Sequence, residues 1–343
     1  MINLEEPRKF KVLAAQAHKV AAEIFRPNSR KYDRAEHAYP KELDILAALM
    51  DGMNAGGDRS AGTAGLARSQ ASDGEIVNGS NMSTILGLTE LCWGDVGLAL
   101  SLPRQGLGNA AIAAVATEEQ KARYGQCWAG MAITEPGCGS DSAAIRTTAV
   151  RDGDEFVING EKIFVTAGDR CDHVVVWASL DPSKGRAAIK SFVVSKDNPG
   201  MEVLRLEHKL GIRSSDTATI VFRNCRVPVA DLLGSPEIDT KQGFGGVMQT
   251  FDNTRPVVAA MAIGVARAAL ERTRELLEEA GLVLDYGSDR WQIPAAAARF
   301  YDFEADWEAA RLLTLRAAWM ADNGRPNSLE ASMCKAKAGR MAS

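Results

Sequence analysis

Cysteine is scarce and scattered in this chain. The six present (Cys92, Cys127, Cys138, Cys171, Cys225 and Cys334) form no C-x-x-C pair, and only four histidines accompany them. A zinc site or disulfide framework is therefore not expected. An excess of one charge is also missing: 44 acidic and 40 basic residues leave a formal charge of -4. That balance suits neither a nucleic-acid footprint nor a polybasic membrane anchor, and points to small molecules or other proteins as partners. No uninterrupted apolar run approaches the roughly 18 residues that a spanning helix needs. The first residues, with Glu5, Glu6, Arg8 and Lys9, lack the basic cluster and apolar core of a secretory leader. The expectation is a reduced, soluble, cytoplasmic protein. What is present is length and apolar content: 343 residues, 46% hydrophobic, enough for two or three domains.

Phe10, Leu13, Ala17, Val20 and Ile24 recur at helical spacing, and Pro27 is expected to stop that helix. Between Asp51 and Ser80 seven glycines among Ala, Ser, Asn and Asp favour an irregular, mobile connection. Helix-compatible spacing resumes at Ile85, Leu86, Leu88 and Leu91 and runs to Leu100, so residues 1–126 read as a helical domain. From Cys127 the texture turns β-rich. Asn159-Gly160 sits between two β-prone arms and predicts a type I′ hairpin, with further strands at 174–178, 189–194, 201–206 and 217–222. These define a middle β domain, 127–236. A helical domain, 237–343, follows: a helix over 254–279, a second with Phe300, Phe303, Trp307, Ala310, Leu313, Ala317 and Met320 in one stripe and Gly324 as its stop, and a third capped by Asn327 or Ser328 with Leu329, Met333 and Ala336. No repeat of fixed period is found.

Three segments carry the chemistry. Met131-Ala-Ile-Thr-Glu-Pro-Gly-Cys-Gly-Ser-Asp141 is a polar, glycine-rich turn after a short apolar run. Its glycines let backbone N–H groups approach an anionic or carbonyl-bearing ligand, and Thr134 and Ser140 add hydroxyl donors. An ordinary strand-to-strand loop would also look like this. Asn159-Gly-Glu-Lys-Ile-Phe-Val-Thr-Ala-Gly168 offers Phe164 and Thr166, which read without context as a core aromatic and a good strand former. Phe251-Asp-Asn-Thr-Arg-Pro256 reads as a helix start, with Pro256 in the first turn and Asp252 as its cap.

Together the three segments resemble the acyl-CoA dehydrogenase family, the first by its T-E-P-x-x-G-S-D loop and the second by its N-G-x-K-x-[WF]-[IV]-T pattern. Lys209-Leu-Gly-Ile-Arg-Ser-Ser-Asp-Thr217 and Val227-Pro-Val-Ala-Asp-Leu-Leu-Gly234 match further landmarks, so the likeness covers roughly residues 7–50 and 83–343. It implies an α+β fold: an N-terminal helical domain, a middle β-barrel or sheet domain and a C-terminal helical bundle. It also implies bound FAD, held by Met131, Ile133, Thr134, Gly139 and Ser140 of the first segment and by Phe164, Val165 and Thr166 of the second. Thr134 would face the pyrimidine side of the flavin, Phe164 one ring face and Thr166 the flavin N5. Ser140, Asp252, Thr254 and Arg255 would meet an acyl-CoA substrate. The implied activity is α,β-dehydrogenation of an acyl-CoA to a trans-2-enoyl-CoA, as in fatty acid β-oxidation, with electrons passed to an electron-transferring flavoprotein by a tetramer.

Two departures stand out. The family's usual base is a glutamate near the carboxyl end, in a segment the sequence does not reach. A minority of members carry it where Thr254 stands, and threonine is no base at neutral pH, so no catalytic residue is assigned. Leu282 to Trp291 lacks the R-x-x-F-G motif whose arginine reaches a neighbouring subunit's cofactor. A heterotetramer with a related, more complete subunit is therefore an alternative to a homotetramer. An oxidase or monooxygenase on the same fold is a third reading.

Overall fold

The structure, a computed structural model, describes residues 7–55, 77–238, 245–289 and 291–343. In chain order its helices are α1 (Lys11–Val20), α2 (Arg26–Arg34), α3 (Glu42–Ala55), α4 (Ser80–Gly94), α5 (Val96–Leu100), α6 (Leu107–Val115) and α7 (Glu118–Tyr124). Seven strands follow: β1 (Ala129–Ala132), β2 (Thr148–Asp152), β3 (Glu155–Thr166), β4 (His173–Ser179), β5 (Ile189–Ser195), β6 (Met201–Leu206) and β7 (Thr217–Pro228). The long helices α8 (Gly245–Glu279), α9 (Ala295–Asp322) and α10 (Ser328–Met341) complete the order. Most of the glycine-rich connection lies outside the described residues; its first part, to Ala55, is helix rather than loop.

Pro27 does not stop the first helix. A π-helical turn, Ala21–Phe25, joins α1 to α2, and the Arg26 N–H reaches back five residues to the Ala21 carbonyl. The wider turn relieves the clash that a proline ring makes with the carbonyl four residues back in a regular α-helix.

The chain divides into two compact units. One comprises Met1–Pro27, Arg68–Val96 and Arg255–Ser343, and its described elements are helices. Its core uses small residues, with Ala259, Ile263, Ala310, Ala317, Cys334 and Ala338 letting α8, α9 and α10 approach closely. At Gly264 a Cβ would lie 2.3 Å from the Thr89 carbonyl, so α8 crosses α4 only with glycine there. The Asp322 carboxylate, buried at the end of α9, accepts from Gly79 N at 2.7 Å, Asn81 N at 3.0 Å, Asn81 Nδ2 at 2.8 Å and Met82 N at 3.0 Å, capping α4 from a distant point in the chain. The stripe expected on α10 faces the wrong way: Leu329 and Met333 are 67% and 46% exposed, while Ala331, Cys334 and Ala338 are buried. Alanine and cysteine fit the narrow gap against α8 and α9, where Leu and Met would overfill it.

The second unit, Asn28–Ala67 and Gly97–Thr254, holds a seven-stranded sheet ordered β1-β4-β2-β3-β7-β6, with β5 on β4. β4 is buried on both faces: Val174, Val176 and Ala178 enter one cluster with Phe156, Ile158, Val165 and Ile220, and Val175 and Trp177 enter another with Ala111, Ile112 and Tyr124 of α6 and α7. The expected hairpin at Asn159-Gly160 is absent, because β3 runs unbroken through it. The turn falls at Gly153, where φ is +63°. Asn159-Gly160 marks instead a register shift between Ile158 and Gly160 in the pairing with β7. A Cβ on Gly160 would sit 2.3 Å from Thr147 Oγ1, so glycine serves a close approach, not a reversal.

Candidate functional site

β1 delivers the first glycine-rich segment. Met131 lies half-buried on it and Ile133 is buried just beyond its end. Glu135 and Cys138 then exchange backbone hydrogen bonds at 3.0 and 3.1 Å, closing a tight turn over Pro136-Gly137. Thr134 is half-buried, whereas Gly139 and Ser140 are exposed at the tip.

The second segment is laced to the first. Ile163 N donates to the Thr134 carbonyl at 2.9 Å. Lys162, fully buried, donates through Nζ to the Ile133 carbonyl at 3.1 Å and to Glu135 Oε1 at 2.7 Å. Glu135 also accepts from Arg146 N, Thr147 N and Thr147 Oγ1. Burial opposes ionisation of Glu135, but the Lys162 ammonium and these donors outweigh it and hold the carboxyl below its usual range. Burial likewise pulls Lys162 down, and the Glu135 carboxylate resists.

Beyond Lys162 the β3–β7 register shifts again, before Val165. Phe164 takes φ = +60° and is 60% exposed, while Val165 is completely buried and Thr166 is half-buried opposite Thr217. The aromatic that reads as core from sequence alone is presented to solvent beside the Thr134 loop. The exposed ring, the two half-buried threonines and the open glycine-serine tip thus lie on two segments that the Ile163–Thr134 backbone bond and the Lys162 contacts hold together.

The third segment is built differently from its sequence reading. α8 begins at Gly245, so Pro256 lies inside a helix and Asp252 is not its cap. Proline is tolerated there although it lacks the N–H that would bond the Asp252 carbonyl. Phe251 packs on the cluster that contains Ile133, Met131 and Cys138, which seats this stretch against the first segment. Asp252 is half-buried and Thr254 buried in the same unit; Arg255, half-buried, begins the helical unit. Glu271 accepts from Trp93 Nε1 and pairs with Arg267. Among the described residues one acid–imidazole group, Glu36, His37 and His208, has metal-ligand spacing, but Arg213 lies 3.1 Å from the Glu36 carboxylate and already supplies a cation.

Sequence reasoning passed over Glu135 and Lys162. The signal was available: counting by twos from Phe156 and Ile158 puts Lys162 on the inward face of β3, and an inward lysine requires a partner.

The acyl-CoA dehydrogenase N-terminal domain matches residues 8–130, the middle domain 130–225 and the C-terminal domain 241–343. The chain belongs to the acyl-CoA dehydrogenase family. Acryloyl-CoA reductase (NADH) of Anaerotignum propionicum is 35% identical over 240 residues, 68% of this chain and 59% of that protein. The short-chain specific acyl-CoA dehydrogenase of Clostridium acetobutylicum is 35% identical over 232 residues, 66% of this chain and 59% of the relative. The matched stretch thus spans under two thirds of these relatives. Butyryl-CoA dehydrogenase from Megasphaera elsdenii superposes with a TM-score of 0.81 at 28% identity, covering 99% of this chain and 86% of that one. The helical, sheet and helical regions of this family member are those of the acyl-CoA dehydrogenase fold. None of its described helices is long and apolar enough to cross a membrane.

Proposed function

We propose that this chain binds FAD and a short acyl-CoA and takes part in α,β-dehydrogenation of the thioester. The observation that carries the reading is Phe164, an aromatic held 60% exposed at positive φ beside the loop of Thr134. Such a ring is costly to leave bare and suits stacking on a flat ligand. FAD, when bound, supplies the hydride acceptor. Thr134 and Thr166 hold the polar ring edge, Phe164 covers one face, and the Gly139-Ser140 tip receives phosphates. Asp252 and Arg255 orient the CoA-bearing substrate. Thr254, a buried hydroxyl, is no acceptor for the α-proton, so the base is supplied from outside these motifs. The relatives' names support a short acyl chain, and the family resemblance supports an electron-transferring flavoprotein as electron acceptor and a tetramer.

The test is reconstitution of the purified chain with FAD, followed by anaerobic addition of butyryl-CoA, with NADH in a parallel arm. The expected results are a visible flavin spectrum, bleaching by the acyl-CoA and none by NADH. A protein that gains no flavin absorbance, alone or with a co-purifying partner, refutes the reading. Bleaching by NADH instead would assign the reverse reaction. The Leu282–Trp291 segment supports a second arrangement. Among its described residues Val283 and Trp291 are 79% and 89% exposed, and its sequence carries no crossing arginine motif. In a heteromer one FAD per unlike pair is expected, whereas four tightly held flavins in a homotetramer exclude it.

A further inference from the structure

The buried charges in β3 have a geometric effect on Phe164. In a regular strand, residues two apart share a face, so Phe156, Ile158, Gly160, Lys162 and Phe164 would all point inward. The strand obeys this as far as Lys162. Then Lys162 pairs with Ile220 and Val165 with Ala218, three steps on β3 against two on β7. The extra residue reverses the alternation: Val165 turns inward and Phe164 outward. In the bulge, the Ile163 N–H goes to the Thr134 carbonyl.

We propose that the Glu135–Lys162 pair is a positioning device for the ring-stacking surface: by fixing Lys162 inward and tying it to Ile133 and Glu135, it forces the bulge that presents Phe164. A non-glycine residue at φ = +60° relaxes unless its surroundings hold it. The ion pair is a suitable clamp, because Lys162 cannot swing away without stranding a buried carboxylate. The same contact fixes the backbone on both sides of Thr134, coupling the hydroxyl expected at the ring edge to the ring expected on its face. This role rests on the FAD reading above, yet the bulge can be read without any ligand.

The experiment compares the full chain with the double variant Glu135→Gln/Lys162→Met, which removes both charges at nearly constant volume, and with Lys162→Arg, which keeps the charge and donors. Circular dichroism establishes folding, flavin titration gives Kd, the visible spectrum reports the ring environment and a crystal structure gives the φ of residue 164. Loss of one charge-assisted clamp predicts FAD binding weaker by about tenfold or more in the folded double variant. Its flavin spectrum should approach that of free FAD and φ at Phe164 should turn negative, whereas Lys162→Arg retains most of the affinity. A folded double variant with unchanged Kd, spectrum and positive φ overturns the proposal. If the double variant does not fold, Glu135→Asp, which keeps the charge but shortens its reach, is read by the same criteria. If the unaltered chain binds no FAD, the proposed function fails, and the φ at Phe164 in the variant still decides this inference.

Discussion

Replacing Asp322 by alanine should unfasten the start of α4. The carboxylate is 1% exposed and serves three backbone N–H groups, of Gly79, Asn81 and Met82, together with the Asn81 side-chain amide. Hydrogen bonds to a charged acceptor are each worth about 1.5–3 kcal/mol, but four that share one carboxylate do not add. Loss of an ordinary helix cap costs about 1 kcal/mol, and here the orphaned donors are buried as well, so roughly 3–4 kcal/mol is expected from Asp322→Ala. That is a large part of the about 5–15 kcal/mol by which a domain is usually stable. Asp322→Asn keeps one acceptor oxygen and should lose about half as much. Urea unfolding gives the total, and hydrogen exchange at the Met82 amide shows whether the loss is local. A change below about 1 kcal/mol, with Met82 still protected, would show that water replaces the carboxylate and that the cap is incidental.

Other expectations follow from the same geometry. Gly160→Ala should cost about 1–3 kcal/mol, measured by thermal or urea unfolding, and Thr147→Ala should not rescue it, since the new Cβ would also lie 2.8 Å from the Thr147 Cα. Arg267→Met takes from Glu90 a guanidinium bound through two nitrogens at 2.6 and 2.5 Å and leaves, among the described residues, only His18, 2.9 Å from the same carboxylate; about 1.5–3 kcal/mol should be lost and largely recovered in Glu90→Gln/Arg267→Met. Glu36, through His208, the Lys209 N–H and Arg213, and Glu42, through Lys31 and Tyr32, are each lowered from 4.5 to about 2. Their contribution to stability is therefore complete above about pH 5 and disappears as pH falls toward 2, and Glu36→Gln should flatten the stability–pH slope in that window. Arg255→Ala should weaken acyl-CoA binding more than FAD binding by titration; equal loss of both would indicate a folding role.

Much of the fold was legible because its signals are local. Short β-rich runs between turn residues located β4 to β7, and helical spacing located α4, α9 and α10. Errors arose where tertiary contacts decide. Asn-Gly is a reliable hairpin signal in isolation, but here Gly160 is required by Thr147, earlier in the chain and on another segment, and the local turn preference gave way. On α10 the large apolar residues looked like the core face, yet a bundle of alanines admits only Ala331, Cys334 and Ala338. At the site, resemblance identified the segments and their expected roles. It could not show that Phe164 faces outward, because that depends on a one-residue bulge and a buried ion pair rather than on the identity of the aromatic.

The strand β6 has a consequence for life at high concentration. It ends the sheet, pairing among the described residues only with β7, so one row of its backbone groups is open to any extended chain that drifts past. Its exposed Leu204 would make such an encounter adhesive. Two features spoil the template: a register shift between Val203 and Arg205 bends the row out of line, and Glu202 and Arg205 set charges along it that an incoming strand would have to desolvate. The pair Glu202→Val/Arg205→Val would straighten and grease that border, and the expected result is visible turbidity on concentration while the freshly diluted protein still folds.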